Sequence, residues 1–148
     1  MKIKLRCKED NRPIYEKMLK DGGFIISDDS NLSFVEDNFV LEYLIGKLNG
    51  DSVMVYLKDI IIIESYGRDI VARTKAGTFI LKETLEHLEK NLCTAGFIRI
   101  SQSAIIQKSS IEKISHGLSM RLHLMLKAGI KADVTRSYYF EFKKTIGL

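Results

Sequence analysis

No apolar run in this sequence approaches the roughly 20 residues that cross a bilayer as a helix; Ile60–Ile63 is typical of what it offers. The N-terminus, Met1-Lys-Ile-Lys-Leu-Arg-Cys7, alternates charge with apolar residues and lacks the continuous hydrophobic segment of a signal peptide. A cytoplasmic location is therefore expected. Cysteine is scarce: Cys7 and Cys93 lie far apart with no Cys-x-x-Cys partner, which excludes a disulfide scaffold and fits reduced, buried thiols. The single proline, Pro13, belongs to no linker, and no Pro/Ser-rich stretch divides the chain, so its halves are expected to pack together.

Catalytic motifs are missing as well. His87, His116 and His123 fall on a helix, a turn and a strand, without the i, i+4 pair or Cys/His spacing of a metal site. There is no Gly-x-Ser-x-Gly, no phosphate-cradling Gly-x-x-x-x-Gly-Lys and no Gly-x-Gly-x-x-Gly after a strand. Glu64, set in an apolar run, has no second carboxylate at an informative spacing. Enzyme activity, cofactors and a small-molecule substrate are thus not expected.

What is present is 148 residues, 45% of them hydrophobic, enough for one full core and a small accessory unit. The charge is uneven. Residues 1–50 carry 8 basic and 9 acidic side chains, whereas residues 98–148 carry 9 basic and 3 acidic. A basic C-terminal half attracts polyanions, so nucleic acid or an anionic membrane surface is a natural partner, with a merely solvated basic surface as the alternative.

Along the chain, Ile3, Leu5 and Cys7 alternate with Lys2, Lys4, Arg6 and Lys8, the period of a strand with one wet face. Pro13 starts a helix that carries Ile14, Met18 and Leu19 and stops at Asp21-Gly22-Gly23. Phe24–Ile26 and Leu32–Val35 read as short strands around a turn at Asp28–Asn31, completing a small β-α-β-β unit. The acidic pair Asp28 and Asp29 reads as turn chemistry, since about fifty residues are too few for a phosphoreceiver domain. From Phe39 to Leu57 a helical face also fits, but Asn49-Gly50 followed by Val53–Leu57 points to a hairpin.

The remainder is β-rich. Strands are expected at 60–65, 70–74, 78–81, 105–106, 111–114, 120–126 and 131–134 and in the segment that begins at Phe97, with Met120, Leu122, Leu124 and Leu126 sharing a face. Thr84 caps a helix with Leu85, Leu88 and Leu92 in one stripe, and Ser137 is a candidate cap for a last helix from Tyr138 to Ile146. The fold class is mainly β with short helices (α+β), divided as 1–45 and 46–148. At its centre stands Phe97-Ile-Arg-Ile-Ser-Gln-Ser103, an apolar strand carrying one arginine into a serine-rich tip and straight back into strand. A recognition loop is built this way, though an incidental hairpin corner has the same outline.

Taken in order, Asp59–Ser65, Thr84–Leu92, Phe97–Gln107, Ile111–Ile114, Leu126–Gly129 and Val134–Tyr138 resemble the LytTR family of bacterial DNA-binding domains over about two-thirds of the chain. The resemblance implies an elongated fold of small β-sheets whose loops enter DNA grooves, in transcriptional regulators that bind repeated promoter sites as pairs. It implies three contacting loops: Tyr66 to Asp69 with Arg68; Arg99 to Ser103 with Ser101 and Gln102; and Thr135 to Tyr138 with Arg136. Arginine can pair bidentately with guanine, and Gln with adenine or a phosphate. Lys108, Lys127 and Lys131 would add sequence-blind attraction if they share that face. Gln102 stands where the family often has a basic residue or Asn, Gln107 and Thr135 replace Asn and Ser, and Ala128-Gly129 replaces Asn-Gly. These departures bear on base preference more than on DNA binding.

The structural alternatives are an ion pair of Arg136 with Asp133 or Glu141 and a solvated turn for Arg68. The resemblance also implies a homodimer, an N-terminal unit that serves as a dimer or regulatory contact, and, as beside some short relatives, a small membrane protein that restrains the regulator. A β-rich protein-interaction module and a single-stranded RNA binder are the rival classes; Tyr66, Tyr138 and Tyr139 are few platforms for the latter.

Overall fold

The computed structural model describes residues 1–37 and 39–148, which form two compact units, Met1–Leu41 and Glu42–Leu148. The expected boundary at 45/46 falls within a strand of the second unit, Tyr43–Leu48.

In the first unit, β1 (Lys2–Arg6) is followed by α1 (Arg12–Asp21), β2 (Ile25–Ile26) and β3 (Ser33–Val35). The sheet order is β2-β1-β3 and both pairings are parallel. The strands flanking the Asp28–Asn31 turn therefore do not pair with each other; β1 runs between them. Ile3, Leu5, Cys7 and Leu19 form the core, with Tyr15, Phe24, Ile26 and Phe34 packed on it. Lys4, expected on a wet face, is buried.

The second unit holds a seven-stranded antiparallel sheet in the order β5-β4-β8-β7-β6-β10-β9. Its strands are β4 (Tyr43–Leu48), β5 (Asp51–Tyr56), β6 (Ile60–Tyr66), β7 (Asp69–Thr74), β8 (Thr78–Leu81), β9 (Phe97–Ser101) and β10 (Ala104–Gln107). Asn49 and Gly50 join β4 to β5 with φ of 51° and 88°, the left-handed pair of a two-residue hairpin turn. Thr84 caps α2 (Leu85–Leu92) by accepting from the His87 N–H, and Leu85, Leu88 and Leu92 are buried where the helix meets β9 and β10.

A second sheet, β11 (Ile111–His116), β12 (Leu122–Leu126) and β13 (Lys131–Val134), and α3 (Tyr139–Ile146) complete the unit. Leu122, Leu124, Leu126, Val134 and Phe142 share a core with Ile62, Ile98, Ile100 and Ile106 of the large sheet.

Three local expectations change. Met120 lies outside β12, half-exposed and with φ of 56°, because left-handed backbone at Ser119 and Met120 cannot continue a strand. Ser137 does not cap α3; it sits inside a single 3-10 turn, Arg136–Tyr138, closed by the Tyr138 N–H on the Thr135 carbonyl. Cys93 is exposed, whereas Cys7 is buried. Among the described residues no helix is long and apolar enough to cross a membrane.

Candidate nucleic-acid interface

Antiparallel register determines which turns share an end of the large sheet. Tyr66 pairs with Asp69, so Gly67 and Arg68 form the β6–β7 apex. Gly67 takes φ of 62°, which glycine adopts without strain at the first central position of such a turn. Next to β6 runs β10, with Ala104 opposite Glu64, and the Ser65 N–H donates to the Ser103 carbonyl at 2.8 Å. The β9–β10 apex, Gln102 and Ser103, is thereby tied to the β6–β7 hairpin. On the far side of β9, the Thr135 N–H donates to the Ile100 carbonyl at 3.0 Å, which seats the segment after β13 beside the same apex. Three tips thus stand at one end of the sheet. Arg68, Gln102 and Ser103 also border one shallow depression together with Lys82, Glu83 and Thr84.

Side-chain exposure divides the expected contacts. Tyr66, Arg68, Gln102, Ser103 and Arg136 are exposed, and Thr135 and Tyr138 are partly buried. Arg136 ion-pairs with neither Asp133 nor Glu141 among the described residues; Asp133 instead bonds His123 at 2.7 Å. Arg99 is different. Its side chain is 7% exposed, and it lies 2.9 Å from a Glu89 oxygen and 3.7 Å from one of Glu86. It also donates to the carbonyls of Ser101, at 3.0 Å, and Gln102, at 2.7 Å. Burial pulls the guanidinium pKa down, but the Glu89 hydrogen bond, Tyr138 and the two carboxylates leave it raised overall, so the group stays charged. Arg99 braces the tip from inside.

Ser101 is also buried. Its Oγ accepts from the Ser103 N–H at 3.2 Å, a serine turn that shapes the apex. Tyr138 lies with its ring 6.0 Å from the Arg99 guanidinium carbon and packs against the core, which makes it a support for the third tip.

Lys108 and Lys127 sit at the opposite end. Gln107, at the far end of β10, pairs with Phe97, and Lys108 follows it; Lys127 follows Leu126 at the far end of β12. Lys131, opposite Met125, belongs to that end too. At roughly 3.3 Å per residue, a strand of this length separates them from the tips by about 13 Å.

Lys82 carries no local sign of a role, because its approach to Arg68 depends on Ile70 pairing with Leu81. The burial of Arg99 did leave a trace: a lone arginine between Ile98 and Ile100, with Glu86 and Glu89 three apart in the preceding helix. Among the described residues no cluster of His, Cys, Asp or Glu could hold a metal ion. Glu64 pairs with Arg73 at 3.2 Å.

Comparison with known proteins decides the family. The LytTr DNA-binding domain family matches residues 50–147. This chain belongs to it.

The matched LytTr segment contains all three tips. A solved LytTr DNA-binding domain from Bacillus cereus has the same fold, with a TM-score of 0.70 at 21% identity over 74% of this chain and 100% of that one. The sensory transduction protein LytR of Staphylococcus saprophyticus is 32% identical over 64% of this chain and 37% of its own length. The sensory transduction protein LytT of Bacillus anthracis is 31% identical over 64% and 38%. The chain therefore spans less than two-fifths of either relative. A Staphylococcus aureus protein described as an HTH-type transcriptional regulator is 29% identical over 71% of both chains.

Proposed function

We propose that this protein is a transcriptional regulator that reads double-stranded DNA with the three tips of its LytTr domain. Arg68, Gln102 and Arg136 face the bases; Tyr66, Ser103 and Thr135 flank them. The observation that carries this reading is the pair of hydrogen bonds, Ser65 to Ser103 and Thr135 to Ile100, that ties the tips to one end of the sheet. The exposed side of α2 presents Glu86 and Glu89, a poor match to phosphate, which favours tips over this helix as the reading element. Arg99 and Ser101 hold the central tip in shape. Lys108 and Lys127 lie outside the contact set.

The regulator acts in the cytoplasm, without enzyme activity or a cofactor, as a homodimer on repeated promoter sites. The unit before the LytTr domain supplies the dimer or regulatory contact, and a small membrane protein restrains it. Selection of bound fragments from random duplex DNA, followed by mobility shift, tests the reading. A recurrent site whose affinity falls log-linearly with salt is expected. Failure to enrich any duplex, with affinity for a protein partner instead, would favour the interaction-module reading.

A further inference from the structure

The same end of the second unit carries another hairpin. His116 pairs with Leu122 at the base of the β11–β12 loop, and Leu122 pairs with Val134. Val134 leads straight into Thr135, whose N–H is bonded to Ile100 beside the central tip. The loop Gly117-Leu-Ser-Met-Arg121 therefore lies next to the Thr135–Arg136 tip, one strand further out.

This loop is built to hold a shape. The Gly117 N–H donates to the Arg121 carbonyl at 2.8 Å, closing it at the base. Ser119 and Met120 both take φ of 56°, a left-handed conformation that residues with side chains adopt at an energetic cost and that recurs at binding sites. The His123 ring is bonded to Asp133 at 2.7 Å and lies against Gly117, where a Cβ would come within 2.5 Å of its Nε2. Only glycine seats the loop on that braced imidazole. At the apex Leu118 is 88% exposed, and the Arg121 side chain is exposed with no ion pair among the described residues.

An unpaired cation on a loop closed at its base, beside a tip proposed to meet DNA, has an evident use. We infer that the Gly117–Arg121 hairpin is a fourth element of the DNA footprint, with Arg121 contacting a phosphate that flanks the segment met by Arg136. The inference rests on the three-tip reading. Arg121 is the only side chain of the loop that can bind an anion strongly, and a contact to phosphate positions the protein without selecting sequence.

The test compares wild type, Arg121→Gln and Arg121→Lys on a selected duplex and a scrambled one across a salt series. For Arg121→Gln the salt slope should fall by about 0.9, and affinity at 0.1 M salt by roughly eightfold, equally on both duplexes. Arg121→Lys should keep the wild-type slope. An Arg121→Gln protein with unchanged slope and affinity, alongside wild type that binds steeply, overturns the fourth contact and leaves the three-tip reading intact. Loss confined to the selected duplex, or equal loss in Arg121→Lys, overturns the phosphate role. Wild-type protein that binds neither duplex overturns both readings.

Discussion

The Arg99 guanidinium donates to the main-chain carbonyl of Gln102 at 2.7 Å from a buried position within β9. The residue at the exposed apex is thus held by a charge three positions back in sequence, itself anchored by Glu89 at 2.9 Å. This arrangement couples the stability of the unit to the shape of the tip.

Arg99→Ala should therefore lose stability and DNA affinity together. Deleting the hydrogen bonds to two carbonyls and Glu89 should cost about 1–3 kcal/mol in denaturant unfolding. Arg99→Lys should not rescue it, because an ammonium lacks the planar fork that spans these acceptors. Arg136→Ala, altered at an exposed site, should lose affinity with stability unchanged within about 0.5 kcal/mol.

Gln102→Ala should change base preference without unfolding the protein. A lost base contact should cost about 1–3 kcal/mol at one position of the site, read from competition among single-base variants. Uniform weakening across all variants would make Gln102 a phosphate contact.

The double substitution Lys108→Ala with Lys127→Ala checks the geometry from the other side. Since both lysines stand at the far end of the strands, the salt slope of DNA binding should stay at its wild-type value. A drop of about two would bring both back to the interface.

In the first unit, Glu36 makes stability depend on pH. Its carboxylate is held below the usual range, chiefly by the Lys8 backbone N–H at 2.7 Å; burial opposes this, and Asn11, the Lys8 charge and Tyr15 add to it. A folded pKa below the unfolded one, about 4.3, means that the contribution is complete above the unfolded value and is lost as pH falls through the folded value. Amide exchange in β1 and β3 should accelerate over that acid range in wild type. Glu36→Gln should exchange faster at neutral pH and respond less to acid; matching pH profiles in the two proteins would remove Glu36 as the cause.

Features fixed by local chemistry were legible in the sequence. Asn49-Gly50 announced its hairpin because few residues tolerate two left-handed positions, and Thr84 announced α2 because a hydroxyl there satisfies the His87 N–H. Ser119 and Met120 gave no such notice, since neither favours the conformation it adopts, and an apolar alternation through Met120 looked like strand. The parallel placement of β1 between β2 and β3 depends on pairings distant in sequence. The candidate site divides the same way. Arg68, Gln102 and Arg136 were legible as exposed turn residues, whereas the burial of Arg99 and Ser101 and the place of Lys108 follow from register across β6, β10 and β9, and that of Lys127 from register between β12 and β13.

The most direct test is a base-preference profile of Arg68→Ala, Gln102→Ala and Arg136→Ala on one selected duplex. If the three tips meet a single stretch of double helix, each variant should relax preference at its own position, in the order Arg68, Gln102, Arg136 along the site. Three profiles indistinguishable from wild type would contradict the account.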